Sequence, residues 1–198
     1  MADQFLKDRT PAEADQWLRA YYIVRGLISL IWVAAIVILG PRFAFLAGAL
    51  LLIYPAWDGL ANVIDARHNG GLRTNPTQTF NAAVSCLATV AVAVGLAISM
   101  SVVLGIFGVW ASLSGLLQLA TAVRRWKTVG AQWAMVLSGA QSAVVGVMFL
   151  WKAAGPVNPS PVDIAPYAAF GAFYFLVSAL ALSVSTARGR RGSRVQTS

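Results

Sequence analysis

Six stretches of the chain are apolar almost from end to end, with polar positions pushed to their margins: about 21–40, 43–65, 79–99, 102–123, 131–151 and 167–187. Hydrophobic residues run on within each stretch without the strict alternation of a half-buried strand, so the pattern selects helices. Each stretch supplies the roughly 20 residues of helix that cross about 30 Å of hydrocarbon. A backbone surrounded by lipid must satisfy its hydrogen bonds inside its own segment, which again favours helices. The expected fold is an all-α integral membrane protein with six transmembrane helices.

The few polar residues inside these stretches recur in order. Tyr54-x3-Asp58-Gly59-x2-Asn62-x2-Asp65-x2-His68 returns as Trp110-x3-Ser114-Gly115-x2-Gln118-x2-Thr121-x2-Arg124, and again as Tyr174-x3-Ser178-Ala179-x2-Leu182-x2-Ser185-x2-Arg188. A fainter pattern opens each unit: Gly26-x2-Ser29, Ala82-x2-Ser85 and Gly139-x2-Ser142. The interval from Gly26 to Tyr54 equals that from Ala82 to Trp110. The interval from Gly139 to Tyr174 is longer, and the Pro-rich connection near 156–166 takes up the difference. Recurrence of a two-helix unit predicts three repeated helical hairpins, about 21–68, 79–124 and 131–188. They follow an N-terminal segment, 1–20, and precede a basic tail, 188–198.

Composition agrees with a membrane class. The chain of 198 residues is 58% hydrophobic and 11% charged, with a mean hydropathy of +0.69; soluble domains average about 25% charged residues. Charge then orients the bundle. Only Arg42 and Lys152 fall in the turns joining segments 1–2, 3–4 and 5–6. Lys7, Arg9, Arg19, Arg25, Arg67, Arg73, Arg124, Arg125, Lys127, Arg188, Arg190, Arg191 and Arg194 all fall on the other side, which the positive-inside rule makes cytoplasmic, together with both termini. The net charge of +8 therefore points to anionic lipid head groups as partners. It does not point to nucleic acid, because the basic tail lacks the interleaved aromatics that stack on bases.

The polar N-terminus does not read as a cleaved secretory signal. Thr10-Pro11-Ala12-Glu13 has the form of a capping box with Pro at the first helical position, which predicts a helix start near Pro11. Trp17 and Leu18 would then lie in the membrane interface. His68-Asn69-Gly70-Gly71 reads as a helix stop, with His68 as a helix-end cation, and Asn75-Pro76 as the next start with Asn75 as its cap.

Ionisable groups within membrane segments are costly and mark the places to search for function. Arg25 precedes the first hairpin turn, near Pro41, by almost the same stretch of chain by which Asp58 follows it, so the two sit at matching depth on antiparallel helices. They can pair. The pair reads structurally as a lock between segments 1 and 2, and functionally as a carboxylate whose proton or partner exchanges. Aligning the repeats places Asn81 and Ser138 at the level of Arg25, and Ser114 and Ser178 at the level of Asp58. Asn62 and Gln118 lie one turn further toward the basic side on the same face. Such groups either hydrogen-bond across helices or line a water-filled vestibule. Arg25, Asp58, Asn62, Asn81, Ser114 and Gln118 are thus the candidate intramembrane polar site.

Pro55 should kink segment 2 just before Asp58. The small-x3-small spacing Ser142-x3-Gly146, beside Ser138-Gly139, predicts close packing of segments 3 and 5 at the bundle centre or between protomers of a homo-oligomer. Catalytic groupings are nearly absent. The single Cys86 is read as an inert packing residue, and one histidine and one cysteine make no zinc site. No phosphate loop or nucleophile elbow is present. The expectation is a protein that is not an enzyme, with no cofactor and no metal.

The hairpins, each with a small-x2-Ser opening and an aromatic-x3-[Ser/Asp]-[Gly/Ala] closing helix, resemble the HdeD-like short-repeat membrane proteins. Trp110-Ala-Ser-Leu-Ser114-Gly115-Leu-Leu-Gln118-Leu is the most typical stretch, and the resemblance covers nearly all of 21–187. It implies six helices in a bacterial inner (plasma) membrane and, by its namesake branch, a role in acid resistance. Asp58, the Asn62/Asp65 pair and the 66–78 loop depart from the usual pattern. Two function classes follow. One is a non-enzymatic envelope protein supporting acid or stress tolerance through lipid or protein contacts. The other is a small transporter or proton-conducting protein using Asp58 and Arg25, for which a wet cavity reaching Asp58 would argue.

Overall fold

The structure, a computed structural model, describes residues 11–126 and 132–195. Among these residues are six long helices: α1 (Pro11–Leu39), α2 (Ala44–His68), α3 (Pro76–Leu96), α4 (Met100–Arg125), α5 (Gln132–Ala153) and α6 (Ala165–Val195). Two short 3-10 turns, Leu72–Thr74 and Pro161–Ile164, lie in the connections. Every helix contains a span long and apolar enough to cross a membrane, and no strand occurs among the described residues. These are the features of a multi-pass membrane protein.

Local chemistry sets the helix ends. α1 is helical from Pro11, the first described residue, so the expected start near Pro11 and its capping box with Thr10 lie at the edge of and outside the described residues. α2 stops at His68, and Gly70 and Gly71 take φ of 97° and 100°, which side-chain-bearing residues rarely adopt. Asn75 stands at the N-cap of α3 but makes no side-chain cap bond. Its amide instead donates toward Ala66 O (3.3 Å), Asn69 O (2.7 Å) and Gly71 O (2.9 Å), fastening the loop to the last turn of α2 and to its own backbone. At the other end, Ser99 caps α4 by accepting from Val102 N, and Ser160 and Asp163 form a capping box. Asp163 also takes an ion pair from Lys152 at 2.9 Å.

Each helix packs antiparallel on its neighbours in chain order, and α6 returns to α1, closing a ring. Contact is most extensive between α4 and α5, α1 and α6, and α2 and α3, and sparser between α1 and α2 and between α5 and α6. Small residues explain the three tight seams. A methyl added at Gly115 would stand 2.6 Å from Gly139 O, and one at Gly139 would stand 2.8 Å from Gly115 O, so α4 and α5 touch backbone to backbone. Gly59 lies against Ser85 and Ala82 of α3, and Gly26 against Leu176 and Ala172 of α6. The small-residue stripe on segment 5 packs on α4, and its Ser138 and Ser142 are buried and face the interior of the bundle.

Trp17 and Leu18 have partners within the chain. Leu18 is buried with Leu182 and Ala179, and the Trp17 ring stacks on His68 with centroids 3.7 Å apart. α2 continues as helix through Pro55, which is buried. Cys86 is exposed on the outer surface of α3 rather than packed inside.

The half of the bundle away from the termini is dry. Ile36, Leu51, Val92, Val103, Leu104 and Ile164 are at most 1% exposed and fill it from four helices and the Pro161–Ile164 turn. Above them, Tyr54, Trp110 and Tyr167 meet edge to face in a nearly equilateral triangle, with centroids 5.7, 6.4 and 6.1 Å apart and interplanar angles of 81°, 80° and 79°. The quadrupoles of aromatic rings favour this arrangement. Tyr167 follows Gly139 by the same interval that separates Gly26 from Tyr54 and Ala82 from Trp110. The third ring of the triangle is thus Tyr167, where the recurring sequence pattern pointed to Tyr174. Consequently Gly171, not Ser178, stands at the level of Asp58 and Ser114.

A second constant interval governs hydrogen bonding. Trp110 Nε1 donates to Ser85 Oγ at 3.0 Å, and Ser142 and Tyr167 join hydroxyls at 2.9 Å. Because Ser142 donates to Ala111 O, Tyr167 is the donor to Ser142. Ser29, buried on α1, stands before Tyr54 in the same way. Each serine precedes its aromatic by the same length of chain.

Candidate functional site

Between the aromatic triangle and the end carrying the termini lies a polar cavity, lined by all six helices. Its room for the centres of water molecules is about 100 Å³. A single water needs only about 10–15 Å³ by that measure, so the space holds several.

The charged pair lies on one wall. Arg25 Nη2 donates to Asp58 Oδ1, joining α1 to α2 as the matched depths predict, with both side chains 14% exposed. Arg25 Nη1 donates to Tyr21 Oη at 3.3 Å, and Tyr21 in turn donates to Ala61 O at 3.0 Å. The guanidinium carbon lies 4.3 Å from the centroid of Phe175, a cation–π contact with α6.

Asp58 gathers the surrounding donors. Its Oδ2 accepts from Ser85 Oγ (2.8 Å), Asn62 Nδ2 (3.1 Å) and, more weakly, Asn81 Nδ2 (3.4 Å). Asn62 also donates to the Asp58 carbonyl one turn back, at 2.8 Å. Asp58 is therefore held from α1, α2 and α3 at once, which is what a buried carboxylate requires.

Nearer the termini a second network crosses the cavity wall. Gln78 Nε2 donates to Asp65 Oδ2 at 3.1 Å, while Arg124 Nη2 (3.1 Å) and Thr77 Oγ1 (2.8 Å) donate to Gln78 Oε1. Asn69 donates to Asp65 Oδ1 at 2.7 Å, and Thr121 donates to Thr77 at 2.9 Å.

Of the six residues expected at the polar site, Arg25, Asp58, Asn62 and Asn81 form one bonded cluster. Ser114 and Gln118 line the same cavity without reaching Asp58. Gln118 donates only to the soft sulfur of Met135, at 3.8 Å. The Ser114 hydroxyl and Asn81 Oδ1 are buried without a partner. Sequence reasoning missed Tyr21, Phe175, Gln78 and Tyr167. It placed Ser85 only in a packing motif, although the constant serine-to-aromatic interval was readable.

Fold and site together define a six-helix membrane bundle with a polar cavity that ends on an aromatic floor. No protein-family model, no curated protein and no solved structure matches the chain.

Proposed function

We propose that this protein is a non-enzymatic membrane carrier that admits a small polar solute from the side of its termini into the cavity beside Arg25 and Asp58. The observation that carries the reading is the asymmetry of the interior: a cavity with room for several waters reaches the charged pair, and the Tyr54–Trp110–Tyr167 triangle and dry core close it on the far side. A protein acting only as a scaffold gains nothing from a cavity whose Ser114 hydroxyl and Asn81 Oδ1 no other side chain meets, since buried polar groups left unbonded cost stability. The Arg25–Asp58 pair bridges one of the sparse seams, so its rearrangement bears on how the wall opens.

Three repeated hairpins underlie the ring in this reading, supported by the two intervals that recur at equivalent contacts. The cytoplasmic placement of both termini rests on the positive-inside pattern. An HdeD-like identity, a bacterial inner-membrane location and an acid- or envelope-stress role remain proposals that rest on the quoted sequence motifs.

Flux of small solutes and protons into liposomes holding the purified protein tests the carrier. Flux above that of empty liposomes, lost in the cavity-filling variant Ser114→Leu and altered in Asp58→Asn, is the expected result. Liposomes that stay as tight as empty ones to every solute tried would remove the transport reading.

A further inference from the structure

The chemistry of the cavity's occupant can be read from what its wall leaves unmet. Arg25, Asn81 and Ser138 each precede an opening residue of a unit, and Asp58, Ser114 and Gly171 each follow Tyr54, Trp110 and Tyr167 by four. These are equivalent places around the ring, yet charge fills only the first. At the others the side chains shrink to Ser114, Ser138 and the bare backbone of Gly171. A methyl added at Gly171 would meet nothing nearer than Tyr54 Oη, at 3.8 Å. The room therefore lies beside the ion pair, on the neutral side of the cavity.

The polar atoms on that side want partners. Ser114 is 8% exposed and its hydroxyl has none, and Asn81 uses its amide nitrogen on Asp58 while its oxygen has none. A hydroxyl gives and accepts, and an amide oxygen only accepts, so the occupant must carry both functions.

Charge balance fixes the rest. A cation that took Asp58 would strip Arg25 of its carboxylate, and an anion on Arg25 Nε, the guanidinium nitrogen without a partner, would set a second negative charge beside Asp58 with one arginine between them, so each leaves a buried charge uncompensated. Asp65, the second carboxylate on the wall, is already engaged by Asn69 and Gln78. A neutral solute meets the vacant groups and leaves the pair whole. Resting on the carrier reading above, we infer that the ligand is a small uncharged molecule with hydrogen-bond donors and acceptors, of amide or polyol chemistry, held between Asn81, Ser114 and Ser138 beside an intact Arg25–Asp58 pair.

Saturation-transfer NMR on the full chain in nanodiscs tests this with five probes of similar size: acetamide, glycerol, methylammonium, formate and glycine. The expected result is binding of acetamide or glycerol and of none of the charged three, about tenfold weaker in Ser114→Ala and abolished in both Ser114→Leu and Ser138→Leu. Whichever neutral probe binds separates the amide from the polyol. Tighter binding of methylammonium, formate or glycine would overturn the ligand class and leave the carrier standing. Neutral binding that survives both leucine variants in folded protein would overturn the placement. Failure of every probe to bind folded protein would overturn the carrier with it.

Discussion

The indole of Trp110 and the carboxylate of Asp58 are joined by one hydroxyl: Trp110 Nε1 donates to Ser85 Oγ at 3.0 Å, and Ser85 donates to Asp58 Oδ2 at 2.8 Å. Ser85 is fully buried, so the aromatic floor and the ion pair of the cavity share a single dry link. Ser85→Ala leaves a buried N–H without an acceptor and removes a donor from a buried carboxylate. A loss of about 1–3 kcal/mol is expected. Thermal unfolding in detergent would read it, and Trp110→Phe, which removes the indole donor itself, should cost less.

Asp58→Asn leaves the Arg25 guanidinium without its counter-ion, and breaking a buried pair this way costs about 3–5 kcal/mol. The double replacement Arg25→Met, Asp58→Leu removes both charges and should be the more stable of the two proteins. A double variant as unstable as the sum of its single changes would show that the two side chains are not coupled.

Gly115 and Gly105 both lie on α4 and should respond oppositely to alanine. At Gly115 the new methyl meets Gly139 O and Ala143 N at 2.6 and 2.7 Å, backbone atoms that cannot step aside, and overpacking of that kind costs about 1–3 kcal/mol. At Gly105 its nearest neighbour is Ala153 Cβ at 3.8 Å, and the helix gains about 0.4–1 kcal/mol from a stiffer unfolded chain. Paired melting curves decide it.

Tyr167→Ala opens the aromatic triangle and should cost about 3–5 kcal/mol, as truncation of packed aromatics does. Tyr174→Ala, two turns along α6, should cost clearly less. Equal losses would mean that the triangle does not hold the floor of the cavity.

Asn75→Asp is expected to be worse than Asn75→Ala. The amide donates to the carbonyls of Ala66 in α2 and of Asn69 and Gly71 in the loop that follows. Alanine merely vacates them, whereas aspartate brings acceptor against acceptor. Hydrogen exchange over residues 69–75 would rise in both variants, and further in the aspartate.

Much of this architecture was legible in the sequence because membrane segments are specified by composition. Long apolar runs mark helices whatever surrounds them, and the constant interval between small and aromatic residues marks a recurring unit. A tight turn between two helices fixes their depths, so Arg25 and Asp58 could be matched by counting. Asn62, one turn from Asp58 on the same helix, followed from helical period alone.

What the chain did not declare was how each helix is rotated and which neighbour it meets. Tyr167 and Tyr174 are separated by close to two full turns and share one helix face, so periodicity could not choose between them. Ser85, Phe175 and Gln78 joined the site only because the glycine seams bring α3 and α6 close enough to aim those side chains inward. Hydrophobic composition and turn length are properties of a segment, which the sequence carries by itself. Rotation, partner and cavity depend on the mutual fit of six helices packed in a closed ring, and only the tertiary structure settles that fit.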